Sequence, residues 1–216
     1  MPVRKIFWED PYRTELPAHV TGVDGARVTL DQTIAYAFAG GQQSDSGTIG
    51  GYEILAARKE GLEIYYTLPE DHGLQPGDAA LVTIEWEKRY RLMKLHFAAE
   101  LVLELVYQGY GRPQKIGADI TVQKARVDFY WKGNISLIFP DLHARFKELV
   151  EADLEIVSAF SDEATERRTW EIAGFAKVPC GGTHLKKTGE IGPVTFKRNN
   201  IGRDKERIEI FLNGHA

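Results

Sequence analysis

The residues best suited to chemistry lie in the segment VPCGGTHLKKTGEIG, which holds Cys180 and His184. Thiolate and imidazole are both good zinc ligands, and a Gly-Gly turn can fold a cysteine and a histidine at this spacing onto one ion. Gly181 and Gly182 let the backbone approach a ligand closely. The alternative is a buried structural cysteine beside an incidental loop histidine. The two glycines favour the metal site, because they have no packing role in a loop.

A second set of donors lies on a predicted helix over residues 90–107, YRLMKLHFAAELVLELVY. This stretch contains neither Gly nor Pro, and its apolar residues recur at three- and four-residue steps. His96 and Glu100 are one helical turn apart, so both side chains can converge on one point. The alternative is a core histidine beside a solvent-facing carboxylate, since Glu100 and Glu104 are also one turn apart. Burying an unpartnered carboxylate is costly, which keeps Glu100 a candidate.

A third segment, AFAGGQQSDSGTIGG at residues 37–51, places Gln42 directly after Gly40 and Gly41. Its local chemistry favours a Gly/Ser-rich loop between strands. It is not a phosphate-binding loop, because no Gly-Lys-Ser/Thr follows at the required distance.

The predicted secondary structure that positions these residues changes near Trp86, from short strands to helices with strands. Before it, short alternating runs at Arg27–Leu30 and Leu62–Thr67, separated by turn signals, predict a small β-barrel or sandwich. After it, helices followed by antiparallel strands predict an α+β layer. Beyond the first helix, the predicted elements are a hairpin of strands Ala125–Trp131 and Ile135–Phe139 through Lys132-Gly133-Asn134, a helix with Asp141 as N-cap running to Val150, a strand Glu151–Ala159, a polar helix Asp162–Ile172, and strands Thr195–Lys197 and Arg207–Leu212.

The composition is that of a globular protein, 43% hydrophobic and 27% charged over 216 residues. No apolar run approaches the roughly 20 residues that would span a bilayer. The N-terminus, MPVRKIFWEDPYRTEL, carries charges where a signal peptide needs an apolar stretch. The single cysteine excludes an internal disulfide. We therefore expect a cytoplasmic protein with no membrane partner.

The net charge of −4 argues against a generic polyanion binder. Two stretches are nevertheless locally basic, residues 86–94 and the tail from Gly181, which includes Lys186 and Lys187. These lysines either form a basic patch beside a site or are solvated surface.

Together the three segments resemble the alanyl-tRNA editing family, which comprises the editing domain of alanyl-tRNA synthetase and its free-standing relatives. WEKRYRLMKLHFAAELV is similar to the family helix, in which an HxxxH pair follows a tryptophan and a basic stretch. VPCGGTHLKKTGEIG is similar to its Cys-Gly-Gly-Thr-His motif, and AGGQQSDSGTI to its Gly-Gly-Gln-x-x-Asp-x-Gly loop. ARVDF at 125–129 is similar to the strand between them. The matches follow family order over residues 37–192.

The resemblance implies a small N-terminal β-barrel domain at residues 1–85, carrying the Gly-Gly-Gln loop, and a zinc-binding two-layer α+β domain at residues 86–216. The implied activity is deacylation, in trans, of tRNA charged for alanine but carrying serine or, secondarily, glycine. One zinc ion per chain and the acceptor end of the tRNA are the implied partners. The implied site residues are His96, Cys180 and His184 at the metal, Gln42 at the reaction, and Gly40, Gly41, Gln42 and Thr183 at the substrate. The resemblance includes no synthetase catalytic domain, so no ATP site is expected. Lys186 and Lys187 flank the proposed ligands in the sequence, and we therefore predict that they too contact the acceptor end.

One position departs from the family: its second helix histidine is Glu100 here. In one hypothesis Glu100 is a direct ligand, and the ion with one thiolate and one carboxylate then carries a charge of about zero. In the other, Glu100 stands back as general base on a water, while His96, Cys180 and His184 hold the metal. The first is favoured, because Glu100 replaces a ligand at the same helical position.

Two rival functions remain compatible with these residues. A zinc-stabilised RNA-binding module would hold its metal with four ligands and no catalysis. A hydrolase of small esters or amides would suit the acidic net charge. The threonine by which the family selects serine has no secure equivalent: PQKIGADIT offers Ile116 and Thr121.

Overall fold

The computed structural model describes residues 2–213, and these divide into two compact units. The first unit comprises the residues up to Ala39 together with Gln43–Arg91. The second comprises Gly40–Gln42 and the residues from Leu92 onward. The segment Gly40–Gln42 therefore belongs to the second unit, although the residues on both sides of it in the sequence belong to the first.

The first unit consists mainly of short β-strands. They are β1 (Arg4–Lys5), β2 (Glu15–Asp24), β3 (Arg27–Leu30), β4 (Gln32–Thr33), β5 (Gly47–Ile49), β6 (Tyr52–Glu53), β7 (Ala56–Glu60), β8 (Glu63–Thr67) and β9 (Ala79–Ile84), with a 3-10 turn at Ile6–Trp8. Seven of them form a sheet in the order β6-β5-β9-β2-β3-β8-β7, with antiparallel neighbours. Every second side chain along β8 and β9 is buried and the ones between are half-buried or exposed, as a sheet with one packed face requires.

The predicted β-rich character of this half is confirmed. β3 has the predicted bounds, and β8 begins one residue later than predicted. The sheet fits the predicted barrel in part: β6 and β7 are its two ends, and within residues 2–213 they do not pair with each other.

A buried ion pair fixes the chain where it leaves the Gly-Gly-Gln segment. Arg89, with a side chain 0% exposed, donates to both carboxylate oxygens of Asp45 and to the carbonyls of Ile34 (2.6 Å) and Pro11 (2.9 Å). The Tyr36 amide donates to the same carboxylate (2.6 Å). Removing one partner of such a pair typically costs about 3–5 kcal/mol, so this network holds the segment after Gln43 in place.

The predicted long helix is confirmed and extends further at both ends, as α1 (Trp86–Gly109). Its residues Leu92, Leu95 and Val102 are fully buried, in keeping with the apolar spacing of the sequence. The helix ends before Gly111, which has φ +70°, and before Pro113. No helix among residues 2–213 combines the length and the apolar character needed to cross a bilayer.

The second unit combines helices with two antiparallel sheets, which confirms the α+β class. Its strands are β10 (Lys115–Ile120), β11 (Ala125–Tyr130), β12 (Val157–Asp162), β13 (Arg167–Ile172), β14 (Ala176–Pro179), β15 (Val194–Gly202) and β16 (Lys205–Leu212), and its second helix is α2 (Phe139–Glu151). One sheet has the order β10-β11-β16-β15 and the other β12-β13-β14. The predicted strands Thr195–Lys197 and Arg207–Leu212 are confirmed within β15 and β16, and the predicted strand Ala125–Trp131 is confirmed as β11, which ends one residue earlier.

The predicted hairpin after β11 is wrong. Ile135–Ile138 forms a 3-10 turn, because the Asn134 side chain accepts a hydrogen bond from the Ser136 amide (2.9 Å) and caps it. Asp141 is not the N-cap of the next helix, since α2 begins at Phe139 and Asp141 lies in its first turn. Pro140 explains the earlier start: its fixed φ and missing N–H suit the first turn of a helix.

Two further predictions between residues 151 and 172 are wrong. Glu151 belongs to α2, and the strand predicted at Glu151–Ala159 begins only at Val157. The predicted polar helix Asp162–Ile172 is a turn followed by β13, the central strand of its sheet. The buried residues Arg168, Trp170 and Ile172 recur at every second position, which is the period of a strand.

Candidate metal centre

Three potential metal ligands from distant parts of the sequence meet in the second unit. The Cys180 sulfur lies 3.4 Å from His96 Nε2 and 3.2 Å from His184 Nε2. The three donor atoms all lie within 4.8 Å of one another, and both histidines are 4% exposed. The structure thus brings His96, Cys180 and His184 together at one point, where both histidines are buried and the cysteine is half-buried.

Each donor is held by a contact outside the cluster. His96 projects from the buried part of α1. The Cys180 amide donates to the Arg168 carbonyl (2.9 Å), which ties the cysteine to β13. The Ser158 Oγ on β12 lies 2.8 Å from His184 Nδ1. In the tautomer that ligates through Nε2, His184 Nδ1–H donates to Ser158, so the Nε2 lone pair faces Cys180.

Gly182 makes the approach of the loop to α1 possible. A Cβ atom on this residue would lie 2.0 Å from His96 Cε1 and 2.8 Å from Gln42 Oε1. Real Cβ atoms do not approach other atoms so closely. Gly181 has open space at the same position. Of the two glycines in the motif, Gly182 is therefore the one that the packing requires.

Burial and neighbouring charges shift the pKa values of the two histidines in opposite directions. Burial opposes the charged form of His96, but the Cys180 sulfur and the Glu100 carboxylate outweigh it and raise the pKa of His96 to about 10. Burial, together with the charge of His96, lowers the pKa of His184 well below its ordinary value. Because ligands must be deprotonated, a metal ion entering this site would have to displace the proton from His96.

Glu100 lies beside the three donors but outside the set whose ligand atoms are mutually close. One carboxylate oxygen is 3.5 Å from His96 Nε2, and the other accepts a hydrogen bond from the Trp170 indole (3.1 Å). Burial opposes the charge of Glu100, but these two contacts outweigh it and lower the pKa of Glu100 to about 2. The carboxylate is therefore ionised at neutral pH.

Gln42, predicted to contact the substrate, lies against the loop that carries Cys180 and His184. Its Nε2 donates to Thr183 Oγ1 (2.9 Å), and its Oε1 accepts from the Thr183 amide (3.2 Å). Both side chains are buried. Gly41 packs closely on β10: its carbonyl accepts from the Ile120 amide (2.8 Å), and a Cβ would lie 2.6 Å from the Ala118 carbonyl oxygen.

The remaining predicted substrate contacts lie in more open positions. A Cβ on Gly40 would meet no atom within 4 Å. Lys186 and Lys187 are exposed, and the Lys187 ammonium forms an ion pair with Asp153 (2.9 Å). The Thr121 hydroxyl donates to the Lys124 carbonyl (3.1 Å) within the β10–β11 turn, and Ile116 is 41% exposed.

Three residues around the donors were not foreseen as part of the site: Ser158, Arg168 and Trp170. Ser158 carries no signal in the sequence, because only the pairing of β12 brings it to His184. The alternation of Arg168 and Trp170 could have identified β13 and hence two inward-facing polar groups.

The donor set fits zinc. Sulfur and nitrogen ligands of a tetrahedral zinc ion, with bonds of about 2.3 and 2.0–2.1 Å, lie about 3.5 Å apart. The separations of 3.4 and 3.2 Å between Cys180 and the two imidazoles are close to that value. Catalytic zinc sites typically have three protein ligands and an open fourth position. Three donors are gathered here, the number of protein ligands in such a site.

Comparison with known proteins adds a second line of observation. Residues 168–209 match the family model of the threonyl and alanyl tRNA synthetase second additional domain. The chain is 33% identical to alanyl-tRNA editing protein AlaX-M of Pyrococcus horikoshii, over 97% of each sequence. It is 29% identical to the protein of the same name from Methanosarcina barkeri, over 96% of this chain and 98% of that protein. It is 31% identical to alanine–tRNA ligase of Ignicoccus hospitalis over 89% of this chain, but only 24% of the ligase is matched.

The two motif glycines provide a matched pair of variants. We expect Gly182→Ala to lower the free energy of unfolding by about 1–3 kcal/mol, because the new methyl group must displace the buried His96 ring. Gly181→Ala should stay within about 0.5 kcal/mol of the wild type. Urea unfolding of the metal-free proteins measures both. Equal stability of the two variants would show that the loop does not approach His96 as described.

Proposed function

The chain belongs to the alanyl-tRNA editing family, and we propose that it is a deacylase that hydrolyses the ester of mischarged alanine tRNA. The observation that carries the proposal is the convergence of His96, Cys180 and His184, two buried histidines and a half-buried cysteine. Seryl-tRNA is the proposed main substrate and glycyl-tRNA the second. The reaction removes an amino acid before it can enter protein synthesis, and we propose the cytoplasm as its location.

Action in trans on released aminoacyl-tRNA is supported by the match to a free-standing editing protein along nearly the whole length of that protein. The chain matches 97% of an editing protein but 24% of an alanine–tRNA ligase. The ester to be cleaved is already activated compared with an amide. A positioned water, a stabilised oxyanion and an oriented aminoacyl group therefore suffice for catalysis.

We propose one zinc ion per chain, held by His96, Cys180 and His184. The separations of the donor atoms, the burial of both imidazoles and the contact of His184 with Ser158 support this assignment. Zinc would supply Lewis-acid chemistry at the ester. Ser158 would fix the orientation of the His184 ring in that state.

For Glu100 the geometry supports the general-base hypothesis over the ligand hypothesis. Trp170 holds one of its oxygens, and the carboxylate stands outside the compact set of three donors. The oxygen on the His96 side can accept a hydrogen bond from a water beside the site. The low pKa of Glu100 depends largely on the protonated His96 ring, which a bound metal would replace, and burial would then favour proton uptake. In that state Glu100 would take the proton of the water as it attacks the ester carbonyl.

The loop residues support the reaction in two ways. Gln42 would hold the Cys180–His184 loop through Thr183 and present its second amide hydrogen to the substrate. Gly40, with open space around it, would allow the terminal adenosine to approach the backbone beside Gly41. Lys186 and Lys187 would contact the acceptor end. Lys187 would give up its ion pair with Asp153 and bind a phosphate of the tRNA instead.

Incubation with three charged forms of alanine tRNA tests the proposal. We expect hydrolysis of seryl- and glycyl-tRNA and retention of alanyl-tRNA, and we expect Cys180→Ala and Gln42→Ala each to lower the rate on seryl-tRNA by at least about a hundredfold. Release of labelled amino acid is the measurement. Binding of tRNA without turnover would instead indicate the RNA-binding module. Turnover of small esters but not of charged tRNA would indicate the small-ester hydrolase.

The role of Glu100 is tested by zinc content and rate together. We expect Glu100→Gln to keep about one zinc per chain while hydrolysis falls about a hundredfold or more, because the amide cannot accept the proton. Glu104→Gln, one turn later on α1, is the matched control and should keep both properties. Loss of zinc from Glu100→Gln would assign Glu100 as a ligand.

A further inference from the structure

A shallow groove in the first unit is lined by groups that suit a nucleotide. Its volume is about 290 Å³, and its lining includes Phe38, Ser44, Leu55, Arg58 and Lys88. Phe38 and Leu55 are 56% and 57% exposed, and both line this one groove, so they form a shared apolar surface and are not scattered singly. The groove therefore offers an aromatic and an aliphatic surface to solvent.

The available charge of this groove is positive. Asp45 also lines it, but its carboxylate is committed to Arg89 and is 1% exposed at the side chain. Arg58 is exposed, and in the part of the chain that the structure describes no carboxylate pairs with it. The Lys88 ammonium donates to the Ser46 hydroxyl (2.6 Å), a neutral partner that leaves its charge uncompensated. Two cations thus stand beside an exposed aromatic ring.

Phe38 is held in its exposed position by the backbone. Its amide donates to Ser44 Oγ (2.8 Å), and the residue forms a parallel bridge with Arg58. The groove residues also flank Gly40–Gln42 in the chain: Phe38 comes two residues before it, and Ser44 two residues after it. If the end of a ligand lies at Gly40–Gln42, the groove residues that neighbour this segment in the sequence are available to the nucleotide that precedes the end.

We propose that this groove binds a nucleotide of the single-stranded acceptor end of tRNA, upstream of the terminal adenosine. The base stacks on Phe38, and the phosphate contacts Arg58 and Lys88. Aromatic rings and cations in one groove are the usual means of binding single-stranded nucleic acid without strict sequence preference. The inference rests on the proposed deacylase function, which supplies such a strand as substrate.

Kinetics on two substrates test the groove separately from the site. Seryl-tRNA carries the upstream nucleotides, whereas the small ester 3′-O-seryl-adenosine lacks them. We expect Phe38→Ala to raise KM for seryl-tRNA about five- to tenfold, the low end for a stacked base, and to leave kcat and the small ester unchanged. Phe38→Tyr should restore KM, and Leu81→Ala, another exposed apolar residue of this unit, should have no effect.

The phosphate contact is tested by the dependence of KM on salt. We expect Arg58→Ala to reduce the slope of log KM against log salt by about 0.7, the value for one contact to a single strand. Lys59→Ala is the matched control: it removes one positive charge from the next residue of β7, whose ammonium lies over the Trp8 ring (5.3 Å). It should keep the wild-type slope.

The outcomes separate the two proposals. If the wild type hydrolyses both esters and the Phe38 and Arg58 variants match it on seryl-tRNA, the groove proposal is overturned and the function stands. If the wild type hydrolyses neither, the function fails, and the affinity of the same variants for deacylated alanine tRNA decides the groove: an unchanged Kd overturns it. A change in oligomeric state of Phe38→Ala at constant tRNA affinity would assign the groove to a second copy of the chain and overturn the proposal too.

Discussion

The candidate site depends on the contact between the backbone at Gly182 and the His96 ring. A side chain of any size at Gly182 would occupy the space of that ring or of the Gln42 amide. Because of this contact, a loop at 180–184 and a helix at 86–109 place sulfur and nitrogen donors at ligand separation. Ser158, Arg168 and Gln42 then hold the donors from other parts of the same unit, Gln42 through its hydrogen bonds with Thr183 of the loop.

The sequence singled out the three side chains that come together, from their residue types and from the helical period around His96, and their role as metal ligands stays a prediction. It predicted the second-unit strands poorly where local signals misled. The polar composition of Asp162–Ile172 suggested a helix, although Arg168, Trp170 and Ile172 alternate as in a strand. A 3-10 turn capped by Asn134 is found at Ile135–Ile138, where a hairpin strand was predicted. The helix α2 begins before Asp141, its predicted N-cap, because Pro140 suits the first turn.

What the sequence could not supply was the pairing of groups far apart in the chain. Gln42 and Thr183 are separated by 141 residues, and Glu100 and Trp170 by 70. The second pair gives Glu100 a physical setting: the Trp170 indole N–H donates a hydrogen bond to its carboxylate. A site built this way carries less positive charge than one with a second histidine, which bears on how strongly its metal would activate a water.

The central claim is that one cysteine and two histidines of a single chain hold one metal ion. Zinc-edge X-ray absorption of the purified protein measures this ligand set directly. The account predicts one sulfur at about 2.3 Å and two imidazole nitrogens at about 2.0–2.1 Å, with the sulfur contribution lost in Cys180→Ser. A protein that binds no zinc, or a zinc shell without sulfur, would contradict it.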